Sequence, residues 1–490
     1  MQFEFLEQSC KISLDFLYFL KMKNLIKNLL EKNSLNKNLN KNKNPQIKKN
    51  LKFKILSLIL VFFSSQIFSQ KLNNYYLNGF LNYKNLLEQE NQNLILENAI
   101  NSFLDELPLS QAISQIFLVN IEGNEIYQPV EKSSKIKFCA EENAENFLVP
   151  GGVLLFSFNI GKDANQLMNF IDSIKSYCEK NNILPPFVST DQEGGIVNRL
   201  YPITSYLPSN QKVSQTLTIQ KAAQLYELQA KQMSLLGFNM NLAPVCESLL
   251  PLNEKFLQSR SYGNVPKTIL YSMQAVSSYE KNNVATVLKH FPGNSNSDPH
   301  SDLPKISVSK EYALWNLILP FDFILSQKPS AVLMSHATTS FLDSQTPACF
   351  SEKWIEDLLK NKLKFDGLIL SDDIFMAALS SQGFDSKTAA IKAINAGVNI
   401  IMLSEKTYAQ VAENLISYSQ ENSAFQKKLY DSIKKVIKFK IDCGILALEK
   451  NSNGTYKINV FKNQKSISSR LEEFSKVKKM GDDFYIKNFK

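Results

Sequence analysis

A chain of 490 residues with 44% apolar and 21% charged side chains can bury at least one large core, so disorder is excluded as its default state. The formal charge of +9 comes largely from Lys and Asn runs before Lys54, which assigns it to a leader and argues against a nucleic-acid-binding face. Cys10, Cys139, Cys178, Cys246, Cys349 and Cys443 show no C-x-x-C spacing and only three histidines occur, so these cysteines read as small apolar residues and neither a metal nor an organic cofactor is expected.

The first element is the leader. Lys48, Lys49, Lys52 and Lys54 precede an apolar run from Ile55 to Phe63, followed by Ser64, Ser65 and Ser69. A basic region, a short apolar core and small residues make the pattern of a secretory signal, and the run is too short to span a bilayer comfortably. Export with cleavage near Ser69 is the expectation, to the periplasm or the cell exterior. If retained, the segment would tether the chain to a membrane. Residues 1–70 are therefore read as a basic leader, 71–104 as a helical lead-in, 105–450 as one barrel domain and 451–490 as a polar tail too short for a second domain.

From Gln115 onward, short apolar β-rich runs alternate with segments of helical period, which predicts a parallel α/β fold. The runs are Gln115–Asn120, Gly152–Phe158, Pro186–Asp191, Asn239–Val245, Val284–His290, Ala331–His336, Gly367–Asp372 and Val398–Leu403. Helices are predicted over Ala164–Lys180, Thr218–Leu236, Pro266–Asn282, Glu311–Gln327, Glu352–Lys362, Ser386–Ala396 and Tyr408–Lys440, while Ile121 to Pro150 lacks helical period. Eight such units match the size of a single (β/α)8 TIM-type barrel. An open doubly wound sheet could show the same alternation, but no glycine-rich phosphate loop follows the first strand. Asp191, Lys289, His290, His336 and Asp372 all stand at carboxyl ends of predicted strands, the face on which a barrel carries its active site.

The segment from Lys289 to Pro304, KHFPGNSNSDPHSDLP, puts two strand-end polar residues before a Gly/Asn/Ser loop that presents Asp298 and His300. A loop of small residues has little side chain to bury and suits closure over a ligand. This segment resembles the K-H-F-P-G…D-x-H signature of glycoside hydrolase family 3, in its bacterial β-N-acetylhexosaminidase branch. Further similar pieces follow in order: Val188–Arg199 (VSTDQEGGIVNR), Asn241–Val245 (NLAPV), Ser259–Gly263 (SRSYG) and Asp366–Asp373 (DGLILSDD).

The resemblance implies Asp372 as nucleophile, and Asp191, Arg199, Arg260, Lys289 and His290 as the residues that hold N-acetylglucosamine. Such groups can fork onto sugar hydroxyls with charge-assisted bonds, although either arginine alone could equally brace the barrel mouth. His336 is similar to the family's M-x-x-H run and is placed with the substrate-binding residues. Asp373 reads as a cap on the following turn. Two departures stand out: the loop between Gly293 and Asp298 is shortened, and Glu247 stands where relatives commonly carry aspartate.

What the resemblance implies chemically is retaining hydrolysis of a terminal β-linked N-acetylglucosamine, plausible on peptidoglycan fragments, by a monomer acting on carbohydrate alone. Asp372 attacks the anomeric carbon, and His300, oriented by Asp298, serves as acid and then base. A histidine in that role does not repel phosphate, so phosphorolysis by a β-N-acetylglucosaminide phosphorylase is the alternative. A non-catalytic barrel that binds cell-wall glycans is the rival from another class.

Overall fold

The structure is a computed structural model that describes residues 88–129, 149–297, 303–375, 379, 383–403, 408–461 and 465–490. The leader and its predicted cleavage site, Cys10, Cys139, Asp298 and His300 lie outside the described residues. Of the unit Met1–Asn91 only residues 88–91 are described, and they are helical. All elements below belong to the unit Gln92–Lys490.

Eight strands form one parallel sheet: β1 Phe117–Asn120, β2 Gly152–Leu154, β3 Phe187–Thr190, β4 Met240–Asn241, β5 Ala285–Phe291, β6 Ala331–Met334, β7 Leu368–Ser371 and β8 Ile401–Leu403. Each pairs with its sequence neighbour from β1 to β7, and β8 returns to pair with β1. A parallel bridge from Leu370 to Ile400, with Ser371 N–H donating to Ile400 O at 2.9 Å, joins β7 to the entry of β8 and closes the ring. This is the predicted (β/α)8 barrel, and closure leaves no exposed sheet edge.

Alternation of side chains across each strand sorts the core into two layers. Leu118, Leu154, Phe187, Met240, Val287, Leu333, Leu370 and Met402 fill the barrel interior. A second layer lies between strands and helices, where α1 Ala164–Lys180, α2 Ile219–Leu236, α3 Val265–Lys281, α4 Leu319–Leu325, α5 Lys353–Lys362, which is wound as a π-helix, α6 Ser386–Ala396 and α7 Tyr408–Glu421 turn their apolar stripes inward. Helix α8, Ser423–Asp442, adds Val436 and Phe439 to the interior layer and plugs its amino-terminal end, with Phe439 edge-on to Phe187 at 5.4 Å. In the first crossover the described residues, 121–129 and 149–151, hold no helix.

Beyond Leu446 the chain forms a hairpin, Leu446–Lys450 with Tyr456–Val460, and then α9, Ile467–Phe489. Helix α9 packs along α2. An Arg470–Asp172 ion pair and a Lys221–Asn488 bond of 2.7 Å hold its two ends, and Gly481 admits the close approach at its middle. A Cβ at Gly481 would lie 2.3 Å from Ser205 Oγ.

Candidate active site

The carboxyl ends of the strands open onto a cavity of about 270 Å³ lined by Asp191, Glu193, Arg199, Arg260, Lys289, His290, Asp372 and Asp373, with Leu154, Phe156, Val197, Leu242, Phe256, Leu333 and Met402 as its apolar parts. Sequence separation here exceeds 200 residues from first to last, so only barrel closure assembles the set.

Lys289 and His290 are consecutive and should point to opposite faces of a regular strand. Pairing between β5 and β6 shifts register between Leu288 and Phe291, where the Lys289–His290 peptide is cis, and both side chains line the cavity. Asp191 follows β3, and the chain then doubles back in a hairpin, Gln192–Gly194 with Val197–Asn198, that carries Arg199 to the rim. The turn needs glycine at Gly194, where φ is +97° and a Cβ would lie 2.3 Å from Pro208 O. Gln192 locks the hairpin by donating to Asn198 Oδ1 at 2.7 Å and accepting Leu200 N–H at 3.0 Å.

Glu193 organises the charges. It is almost fully buried, receives Arg260 through two bonds of 2.8 and 2.9 Å, and meets Lys289 Nζ at 2.6 Å. Burial would raise its carboxyl pKa, but the Lys289 and Arg260 cations outweigh that and hold it far below the ordinary carboxylate range. Burial would likewise lower the Lys289 ammonium, yet Asp191, at 2.6 Å, and Glu193 raise it above its ordinary value. Arg260 is thus fastened to a carboxylate. The Arg199 Nε is buried without a hydrogen-bond partner among the described residues, and its guanidinium lies 5.8 Å from the Phe156 ring centre.

Glu247, noted in the sequence only as a departure from the aspartate of relatives, is the second buried carboxylate. His290 Nδ1 meets its Oε1 at 2.7 Å; since a carboxylate accepts, Nδ1 carries the hydrogen and Nε2 is left for the cavity. The other oxygen of Glu247 accepts Asn294 N–H at 2.6 Å, which anchors the root of the shortened loop. Asn296 ties the same loop to Pro251 O and to Lys255 N–H, each at 2.9 Å. The continuation with Asp298 and His300 lies outside the described residues.

Asp372 sits just beyond β7, its backbone N–H bound to Met334 O at 3.1 Å and its Oδ1 accepting Asp373 N–H at 2.9 Å. Burial would raise its carboxyl. The imidazoles of His336 and His290, the Asp373 N–H and the Lys289 ammonium prevail and hold it below the ordinary range, so it is ionised. No Lys or Arg ion pair to it is present among the described residues. Asp373 accepts Phe375 N–H at 2.9 Å, the predicted brace of the turn. His336 is not brought to the cavity wall: it is buried behind the Asp372 turn, Nε2 donating to Asp373 O at 3.0 Å and Nδ1 meeting Cys349 Sγ at 3.2 Å.

Glu193, missed in the sequence, and Glu247, noted there without a partner, carried one usable signal. Three cations gathered in one cavity need buried counter-charge beyond Asp191 and Asp372, and both glutamates lie within the quoted motifs or just past them. Which cation each would meet is a property of the closed ring.

Residues 111–439 match the Glycosyl hydrolase family 3 N terminal domain, and the chain belongs to that family. A curated protein from Actinobacillus pleuropneumoniae serotype 3, named Beta-hexosaminidase, is 34% identical over 281 residues, 55% of this chain and 79% of that one. A family 3 β-N-acetylglucosaminidase structure from Paenibacillus is 22% identical, with TM-score 0.61, over 76% of this chain and 69% of that one, a likeness of fold. The β-N-acetylglucosaminidase structure from Thermotoga maritima is 26% identical, with TM-score 0.55, over 67% and 66%.

Proposed function

We propose that this chain is a retaining β-N-acetylhexosaminidase that removes a terminal β-linked N-acetylglucosamine. One observation carries the reading: an ionised Asp372, without a Lys or Arg partner among the described residues, at a small cavity whose wall sets the cations of Arg199, Arg260 and Lys289 and the carboxylate of Asp191 among apolar side chains. The curated relatives named Beta-hexosaminidase support it, and the β-N-acetylglucosaminidase structure from Thermotoga maritima supports the choice of sugar.

In this mechanism Asp191, Arg199, Lys289 and His290 hold the sugar hydroxyls, and Arg260 is braced by Glu193 as part of the wall. An Asp372 oxygen attacks the anomeric carbon as the glycosidic bond breaks, and His300, oriented by Asp298, gives its proton to the departing oxygen. The imidazole then takes a proton from water, which attacks the anomeric carbon and frees Asp372. The reading of the leader as a secretory signal supports export to the periplasm or the cell exterior, with cell-wall glycan fragments as the substrate.

Release of nitrophenol from p-nitrophenyl β-N-acetylglucosaminide, with and without phosphate, tests the reading. Free sugar in both cases is expected. Sugar 1-phosphate formed in the presence of phosphate would make the chain a phosphorylase, and no release of nitrophenol would overturn the catalytic reading.

A further inference from the structure

The turn that presents Asp372 is fastened to the barrel on both sides. Asp372 N–H donates to Met334 O at 3.1 Å, Ile374 N–H donates to Met402 O at 3.1 Å, and the Asp373 carbonyl between them accepts His336 Nε2–H at 3.0 Å. The first two are backbone bonds that many sequences could make, whereas the third comes from a side chain. Within the turn, Asp373 N–H donates to Asp372 Oδ1 at 2.9 Å. The direction of that N–H, and with it the direction of the Asp372 carboxylate, depends on how the peptide units on either side of Asp373 are held.

His336 is itself held. It is buried just beyond β6, and its Nδ1 meets Cys349 Sγ at 3.2 Å. Cys349 is fully buried; its N–H donates to Ser335 O at 3.2 Å and Ala348 N–H donates to Ala337 O at 2.9 Å, which clamps the thiol to the strand end that carries the histidine. Since a carbonyl only accepts, Nε2 carries a hydrogen. A ring flip, or loss of that hydrogen, would leave polar groups unmet in a buried place and is disfavoured for that reason. Burial raises the Cys349 thiol well above its ordinary value, so it keeps its hydrogen and adds no second anion behind Asp372.

We propose that His336 and Cys349 are a positioning pair that sets the direction of the Asp372 carboxylate from behind, an inference that rests on the glycosidase reading above. Neither side chain lines the cavity, so the pair acts on the attack and leaves sugar binding alone.

Turnover of p-nitrophenyl β-N-acetylglucosaminide separates this role from plain packing. Cys349→Val fills the space of the thiol without a hydrogen-bonding group, and His336→Leu removes the donor; kcat should fall about fivefold and about thirtyfold respectively, with KM kept within about twofold. Cys349→Ser returns a hydroxyl to Nδ1 and His336→Gln returns an N–H to the Asp373 carbonyl, so both should stay within about threefold of the intact protein. A full rate in Cys349→Val, equal losses in the apolar and hydrogen-bonding variants, or a loss carried by KM would overturn the pair. Should the His336 variants fail to fold, the two Cys349 variants decide by themselves. If the intact protein releases no nitrophenol, the glycosidase reading has failed by itself, and 15N–1H spectra of the histidine rings still decide. The chain has three histidines, and the His336 Nε2–H signal is the one absent from His336→Gln. Its exchange with water should quicken at least about tenfold in Cys349→Val and stay slow in Cys349→Ser; exchange unchanged in Cys349→Val would overturn the pair.

Discussion

Half-buried Asp372 and buried Glu193 are both carboxylates held ionised, yet they have different neighbours and so different work. Glu193 is saturated by Arg260 and Lys289, whereas among the described residues Asp372 accepts a single hydrogen bond, from the Asp373 backbone N–H, and on the proposed mechanism it is the nucleophile. Asp372→Asn should reduce turnover at least about 10³-fold while thermal unfolding stays unchanged, because an amide cannot form the glycosyl ester. Glu193→Gln should do the reverse in emphasis. It leaves two buried cations short of counter-charge, a loss of about 3–5 kcal/mol of stability that a denaturant titration would measure, accompanied by a raised KM. An unchanged unfolding midpoint would show that Asp191 alone balances Lys289. Asp191, Lys289 and Asp372 were legible in the sequence because each ends an apolar β-rich run. Glu193 and Glu247 were not, since their roles depend on partners 40 or more residues away in sequence, brought close only by closure of the ring.

At the scale of elements, the long periodic helices were the most legible, and α1 and α6 have the predicted bounds. Local hydrogen bonding decided the rest. The run Gly152–Phe158 reads as one strand, but Asn159 Oδ1 accepts Phe156 N–H at 2.8 Å and starts a short helix, so β2 ends at Leu154. The stretch Tyr408–Lys440 reads as one helix, but Asn422 takes an extended conformation and splits it into α7 and α8. That break matters, because it lets α8 turn under the barrel and drive Phe439 into the interior. Phe439→Ala should cost about 3–5 kcal/mol by opening a cavity against Phe187, seen as a lower urea midpoint, while KM of the folded fraction is kept. A shift below about 1 kcal/mol would mean the plug collapses onto the space.

At the scale of the whole molecule, the (β/α)8 architecture was legible because strand-end polar residues fell on one face, a regularity that survives errors at element boundaries. Opposite that face, Lys440 is fully buried and donates to Gln115 Oε1 and to Pro185 O. Burial lowers its ammonium from 10.5 to about 7, and a neutral amine has two N–H groups for those two acceptors. Between about pH 7 and 10.5 the unfolded chain binds a proton that the folded chain does not, so this residue's contribution to stability rises with pH there and is flat below. Urea unfolding of wild type and Lys440→Met should therefore show the wild type gaining by roughly a few kcal/mol from pH 7 to pH 10 relative to the variant. A pH-independent difference would contradict the lowered ammonium.

Retention at the anomeric carbon requires one carboxylate to attack the sugar. A slow, fluorinated N-acetylglucosaminyl inhibitor that forms the glycosyl-enzyme faster than water releases it should add one sugar per chain, and peptide mapping should find it on Asp372. A label on Asp373 or Glu193, or turnover of the inhibitor with inversion at the anomeric carbon, would contradict the assignment.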